Sequence, residues 1–224
     1  MQNTPQYSPP YSPKLEMWYN AAYKEKNIEI SNINKAYAIL PKSFYGKVNT
    51  YNQLNINKIY DFCFIGSMYI DHETIINRSW ILTFIKEKFN NNSYLQFTDS
   101  KTKINYEVLG NFDYTLLKNG FVPKETPNIL DRNFFDEMYY SNMCKSKFCL
   151  CPAGDAKWSM RFIEAIMCKT IPIVNEVEES YRSDEESKLD YKYYLTSDKE
   201  FIFREDWVQH NYNIFLKYHT LEFL

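Results

Sequence analysis

The sequence predicts an α/β fold, doubly wound, with a mostly parallel sheet and helices on both faces. Three observations carry this: short apolar runs of strand length, helical periodicity between them, and turn residues at the joints. The run Tyr60–Ile65 is closed by Gly66-Ser67, the composition of a buried strand ending in a turn. Ile76, Trp80, Phe84, Ile85 and Phe89 then recur at helical spacing, with Lys86 and Lys88 suited to the negative end of the helix dipole. Asn90-Asn91-Asn92 stops that helix, and Tyr94–Phe97 reads as the next strand. A strand–helix–strand unit of this kind predicts parallel pairing.

Residues 99–132 are looser, with turn signals at Gly110, Gly120, Pro123 and Pro127. Asn133 is placed to cap a helix running to about Cys144, and Phe148–Cys151 is a further strand. Pro152–Lys157 is a loop, Trp158–Cys168 a helix showing Phe162, Ala165 and Ile166 on one face, and Ile171–Val174 a strand. An acidic stretch between Glu176 and Glu186 reads as a solvated loop, and Trp207 to about Tyr218 as a closing amphipathic helix.

The 224 residues divide into a Pro/Tyr/Ser-rich tail (1–14), a weakly periodic N-terminal region (15–58) and the α/β domain (59–224). A net charge of −2 offers no electrostatic footprint for nucleic acid. No apolar run reaches the ~18–20 residues of a membrane span, and the start lacks the basic-then-apolar build of a signal peptide. Five cysteines, mostly in apolar surroundings, read as reduced core thiols of a cytoplasmic protein. Cys149 and Cys151 would share one face of a strand, and no second C-x-x-C or His pair completes a metal site.

The chemistry concentrates in Ser146–Val174: strand, glycine-containing loop, helix start, helix, strand. Such loops meet helix N-termini beyond the carboxyl ends of parallel strands, where ligands bind and where free backbone N–H groups suit a diphosphate. Gly154 permits close backbone approach, and Ser159 caps the helix or donates to a phosphate. Arg161 is a planar cation able to grip phosphate oxygens, and Glu164, one turn on, is placed to accept ribose hydroxyls. Spacing alone equally allows Ser159 as a plain N-cap and Arg161–Glu164 as an ordinary i, i+3 ion pair.

The string FCLCPAGD-x-x-WSMRFIEA-I-x-x-x-TIPIV resembles the signature segment of exostosin-like glycosyltransferases, glycosyltransferase family 47. Lys169-Thr170 stands where that family usually has Gly-Cys, which alters the turn before the strand. The opening DFCFIGS, with Gly66 and Ser67, and Arg78 in the following helix are similar to the family's strand–glycine–arginine opening. The likeness covers about residues 60–175. It implies a Rossmann-like domain corresponding to the nucleotide-sugar-binding half of a GT-B transferase, with Gly66, Ser67, Arg78, Gly154, Ser159, Arg161 and Glu164 as donor-binding candidates. It further implies sugar transfer, inverting in stereochemistry, from a nucleotide-diphosphate donor of the UDP- or GDP-sugar kind to a hydroxyl on a glycan.

No Asp-x-Asp is present, so no metal and no cofactor are expected, the nucleotide sugar being a substrate. Gly-x-Gly-x-x-Gly and the P-loop pattern are absent too, against dinucleotide oxidoreductases and NTPases. The candidates for a general base are Asp71, His72, Glu73 and Asp155, by position near the expected crevice. Fewer than 60 residues precede Tyr60, so the acceptor domain is expected to be reduced, absent or supplied by a partner, homo-oligomerisation included. The competing readings are a non-catalytic nucleotide-sugar or glycan-binding module of the same fold, and an unrelated α/β binding protein.

Overall fold

The structure is a computed structural model that describes residues 40–55, 57–66, 74–97, 137–153, 160–176 and 190–221. The elements in chain order are β1 (Leu40–Pro41), α1 (Lys42–Leu54), β2 (Tyr60–Gly66), α2 (Thr74–Lys88), β3 (Tyr94–Phe97) and α3 (Glu137–Cys144). They continue with β4 (Ser146–Leu150), α4 (Met160–Met167), β5 (Ile171–Val174), β6 (Tyr194–Leu195), α5 (Glu205–Tyr218) and β7 (Thr220–Leu221).

Five strands form one sheet in the order β3-β2-β4-β5-β6, and every neighbouring pair is parallel. From β2 the chain moves outward to β3, then crosses back to β4 on the other side. The switch point of this doubly wound sheet therefore lies between the carboxyl ends of β2 and β4.

Alternation along the strands builds a core on each face. Phe62 and Phe64 of β2, Phe148 and Leu150 of β4, and Ile171 and Ile173 of β5 share a cluster with Ile81, Phe84, Ile85 and Phe89 of α2. Cys63, Ile65, Cys149 and Cys151 belong to the opposite cluster, with Tyr45 and Val48 of α1, Tyr140 and Met143 of α3, and Phe162, Ile163 and Ile166 of α4. Helix α5 serves both: Trp207 and Val208 pack against the first cluster, while Tyr212 and Phe215 lie in the second. All five cysteines are free thiols and buried, and Cys149 and Cys151 share a face as the two-residue period requires.

The second parallel pairing, β1 with β7, brings Leu40 beside Thr220. It seats α1 on the sheet, so residues 40–54 of the N-terminal region pack into the same core as β2. Asn52 of α1 donates to the Met167 carbonyl at the end of α4 (2.9 Å), and Tyr212 of α5 donates to Asn49 (2.5 Å).

Helix α4 ends in a Schellman turn. Lys169 N–H bonds the Ile166 carbonyl and Thr170 N–H bonds the Ala165 carbonyl, each at 2.9 Å, with Lys169 left-handed at φ 54°. The Lys169-Thr170 pair thus makes a tight turn without the glycine that usually stands there. Among the described residues no helix is long and apolar enough to cross a membrane.

Candidate functional site

Three elements meet at the switch point. Strand β2 ends on Gly66, β4 runs out through Cys151 to Ala153, and α4 brings Arg161 in its first turn. The Arg161 guanidinium lies over the Phe64 ring, 5.2 Å from its centroid, and against Gly66. A methyl group on Gly66 would sit 3.0 Å from the Arg161 Cζ and nearer still to Nη2. The absence of a side chain at Gly66 is therefore what lets the guanidinium pass across the end of β2.

Nε and Nη1 of Arg161 are buried, and neither has a hydrogen-bond partner among the described residues. Leaving such donors unmade costs about 1–3 kcal/mol each, more for a charged group. The guanidinium remains cationic, its pKa raised on balance: burial opposes the charge, while the Tyr139 hydroxyl beside it favours it.

The i, i+3 ion pair is not formed. Both Glu164 oxygens accept from α3 instead, Oε2 from the Tyr139 hydroxyl at 2.7 Å and Oε1 from the Tyr140 hydroxyl at 2.8 Å. Both phenols are pushed well above their ordinary pKa, first by burial and then by the Glu164 carboxylate. A ribose hydroxyl at Glu164 would share oxygens that already serve two protein donors.

Arg78 reaches from α2 to the other rim, where its Nε donates to the Ala153 carbonyl at 3.1 Å. That contact anchors the backbone leaving β4, a role beyond the phosphate contact that the resemblance implies. Of the sequence candidates, Gly66 and Arg161 are brought into contact, Arg78 lies on the adjoining rim, and Glu164 stands behind Arg161. Ser67, Asp71, His72, Glu73, Gly154, Asp155 and Ser159 lie outside the described residues. Sequence reasoning missed Phe64, Tyr139 and Tyr140. The Tyr139-Tyr140 pair carried a signal, since two adjacent phenols heading into a core need an acceptor between them.

His210 is half-exposed and bonds the Asp190 carbonyl at 2.9 Å, whereas His219 is buried and stacks on Phe215. Both belong to the packing around α5 rather than to the crevice.

Fold and site together define a doubly wound α/β domain with a buried arginine at the switch point, two of its donors without a partner among the described residues. The family model of the Exostosin GT47 domain matches residues 63–195. The chain belongs to the exostosin GT47 family. It is 50% identical over 36 residues to a "Probable glucuronosyltransferase" of Oryza sativa subsp. japonica, an alignment covering 16% of this chain and 9% of that protein. It is 40% identical over 53 residues to a "Probable beta-1,4-xylosyltransferase" of Arabidopsis thaliana, covering 21% and 13%. The aligned stretches thus span a small fraction of those relatives' lengths. Among solved structures, the C-terminal CMP-Kdo binding domain of WaaA from Acinetobacter baumannii matches with a TM-score of 0.35 at 9% identity, covering 77% of this chain and 97% of that one.

Proposed function

We propose that this chain transfers a sugar from a nucleotide-diphosphate donor to a glycan hydroxyl, without a divalent metal and with inversion at the anomeric carbon. One observation carries the reading: the Arg161 guanidinium stands at the switch point with buried donors unspent. Negative charge builds on the departing nucleoside diphosphate in the transition state, and a fixed cation there stabilises it without reorganising. Gly66 admits that cation, and Arg78 fixes the opposite rim through the Ala153 carbonyl. A UDP- or GDP-sugar is the donor class, and the names of the two relatives put glucuronosyl and xylosyl among the sugars to try first. The free, buried thiols suit a reducing compartment, and we place the protein in the cytoplasm.

The test is a thermal-shift panel of nucleoside diphosphates and their sugars, followed by donor hydrolysis with and without glycan acceptors. A ligand bound only by the folded chain at 100 times its dissociation constant adds about 2.7 kcal/mol. Arg161→Ala should weaken uridine diphosphate and pyrophosphate by about ten- to a hundred-fold, the value of a charge-assisted contact. Binding that EDTA abolishes and manganese restores would defeat the metal-free site. Binding without turnover would leave the non-catalytic module.

A further inference from the structure

Glu164 lies one turn from Arg161 on α4, a spacing at which opposite charges on a helix normally pair. Here they form no ion pair, and α3 supplies the partners of Glu164. The Tyr139 and Tyr140 hydroxyls each take one Glu164 oxygen, and the two rings meet edge to face at 4.9 Å and 86°. Tyr140 is itself buried in the core cluster and Tyr139 packs against it, so the phenols are fixed before any ligand arrives. The Tyr139 hydroxyl also neighbours the Arg161 guanidinium, which places it between the two charges. Across from this pair, Phe64 offers Arg161 only a ring face, which attracts the cation without using its N–H groups.

We propose that Tyr139 and Tyr140 are positioning residues: they hold the Glu164 carboxylate off Arg161 and so reserve the guanidinium for a diphosphate. A guanidinium already paired with a neighbouring carboxylate must break that pair before it grips a phosphate, and the lost contact subtracts from affinity. With both carboxylate oxygens supplied by neutral donors, no such exchange is required. The assignment rests on the reading of Arg161 as the diphosphate-binding group.

Calorimetric titration of the 224-residue chain with inorganic pyrophosphate tests it, using Tyr139→Phe, Tyr140→Phe, each of these combined with Glu164→Gln, and Arg161→Ala. Tyr139→Phe leaves Oε2 without its donor and turns the carboxylate toward Arg161, so pyrophosphate should bind about tenfold more weakly. Adding Glu164→Gln removes the competing charge and should restore affinity to within about threefold of the parent chain. A purely structural tyrosine would not be rescued by a second substitution in the same network. Unchanged affinity in Tyr139→Phe, or a loss that persists in the double variant, overturns the proposal. If circular dichroism shows Tyr139→Phe unfolded, the Tyr140→Phe pair decides by the same two outcomes. If the parent chain does not bind pyrophosphate, or Arg161→Ala binds it equally well, the diphosphate reading falls and this one with it. If Arg161→Ala loses binding while Tyr139→Phe keeps it, only the positioning role falls.

Discussion

Gly66 and Arg161 form a two-residue device: one supplies the cation and the other supplies the space it crosses. Gly66→Ala puts its methyl against the far end of a flexible side chain, which can swing aside with little cost to the fold. Stability should change by less than about 1 kcal/mol in urea titration, while pyrophosphate affinity drops about tenfold as the guanidinium leaves its place over Phe64. Lys169 gives a second test at this scale. Its left-handed backbone costs about 1–2 kcal/mol for a residue with a Cβ, partly offset by its ammonium 4.8 Å from the Tyr212 ring centroid. Lys169→Gly should raise stability by about 0.5–1 kcal/mol, and Lys169→Ala, which keeps the strain but loses the cation–π contact, should lower it by about 0.5 kcal/mol. As a candidate Arg161 was legible in the sequence, because a cation in the first turn after a glycine loop has a chemical meaning by itself. Its isolation from Glu164 was not, because that depends on phenols brought by another helix.

Helix α1 has an interior glycine, Gly46, where a Cβ would meet nothing within 4 Å. Gly46→Ala should therefore stabilise the fold by about 0.4–1 kcal/mol, through the unfolded chain's lost freedom, and thermal denaturation reads it directly. The same helix shows where sequence reading stopped. Among its described side chains the buried ones are Tyr45, Val48 and Asn52, and the third of these is polar, held by its bond to the Met167 carbonyl. At i, i+3 and i+7 the spacing is helical, but with an asparagine as its third member the stripe is too thin in apolar residues to read as one. Strands β1, β6 and β7 are two residues each, too short for alternation to appear. By contrast β3 and β5 occupy the ranges that their apolar runs predict: all four residues of β5 are buried, and so are Tyr94, Leu95 and Gln96 of the edge strand β3. Helix α4 falls inside its predicted range, and α2 starts at Thr74 and closes with Lys86 and Lys88 in its last turn.

For the molecule as a whole, buried ionisable groups set an alkaline profile. Burial drives the Cys63, Cys149 and Cys168 thiols well above their ordinary value of 9.0. Above about pH 9 the unfolded chain loses these protons while the folded chain keeps them, so stability falls as pH rises. Lys58 acts in the opposite sense. Its ammonium donates to the Cys144 and Cys168 carbonyls at 2.6 and 3.1 Å, yet burial lowers its pKa to about 8. Between about pH 8 and its ordinary 10.5 the folded chain holds fewer protons at this site, and stability rises with pH. Urea titrations should show a shallow maximum near pH 9 in the parent chain. Lys58→Met should lower the whole curve, since two carbonyls lose a donor, and should abolish the rise that precedes the maximum.

The β1–β7 pairing has a consequence for how the chain is made. Leu40 finds its strand partner only at Thr220, so the β1–β7 pairing cannot close until about 180 further residues have been synthesised. At roughly 5–20 residues per second that interval lasts about 10–40 s. Within it Met167, the partner of Asn52, is made before Thr220, so the strand pairing closes after that contact of α1 has become available.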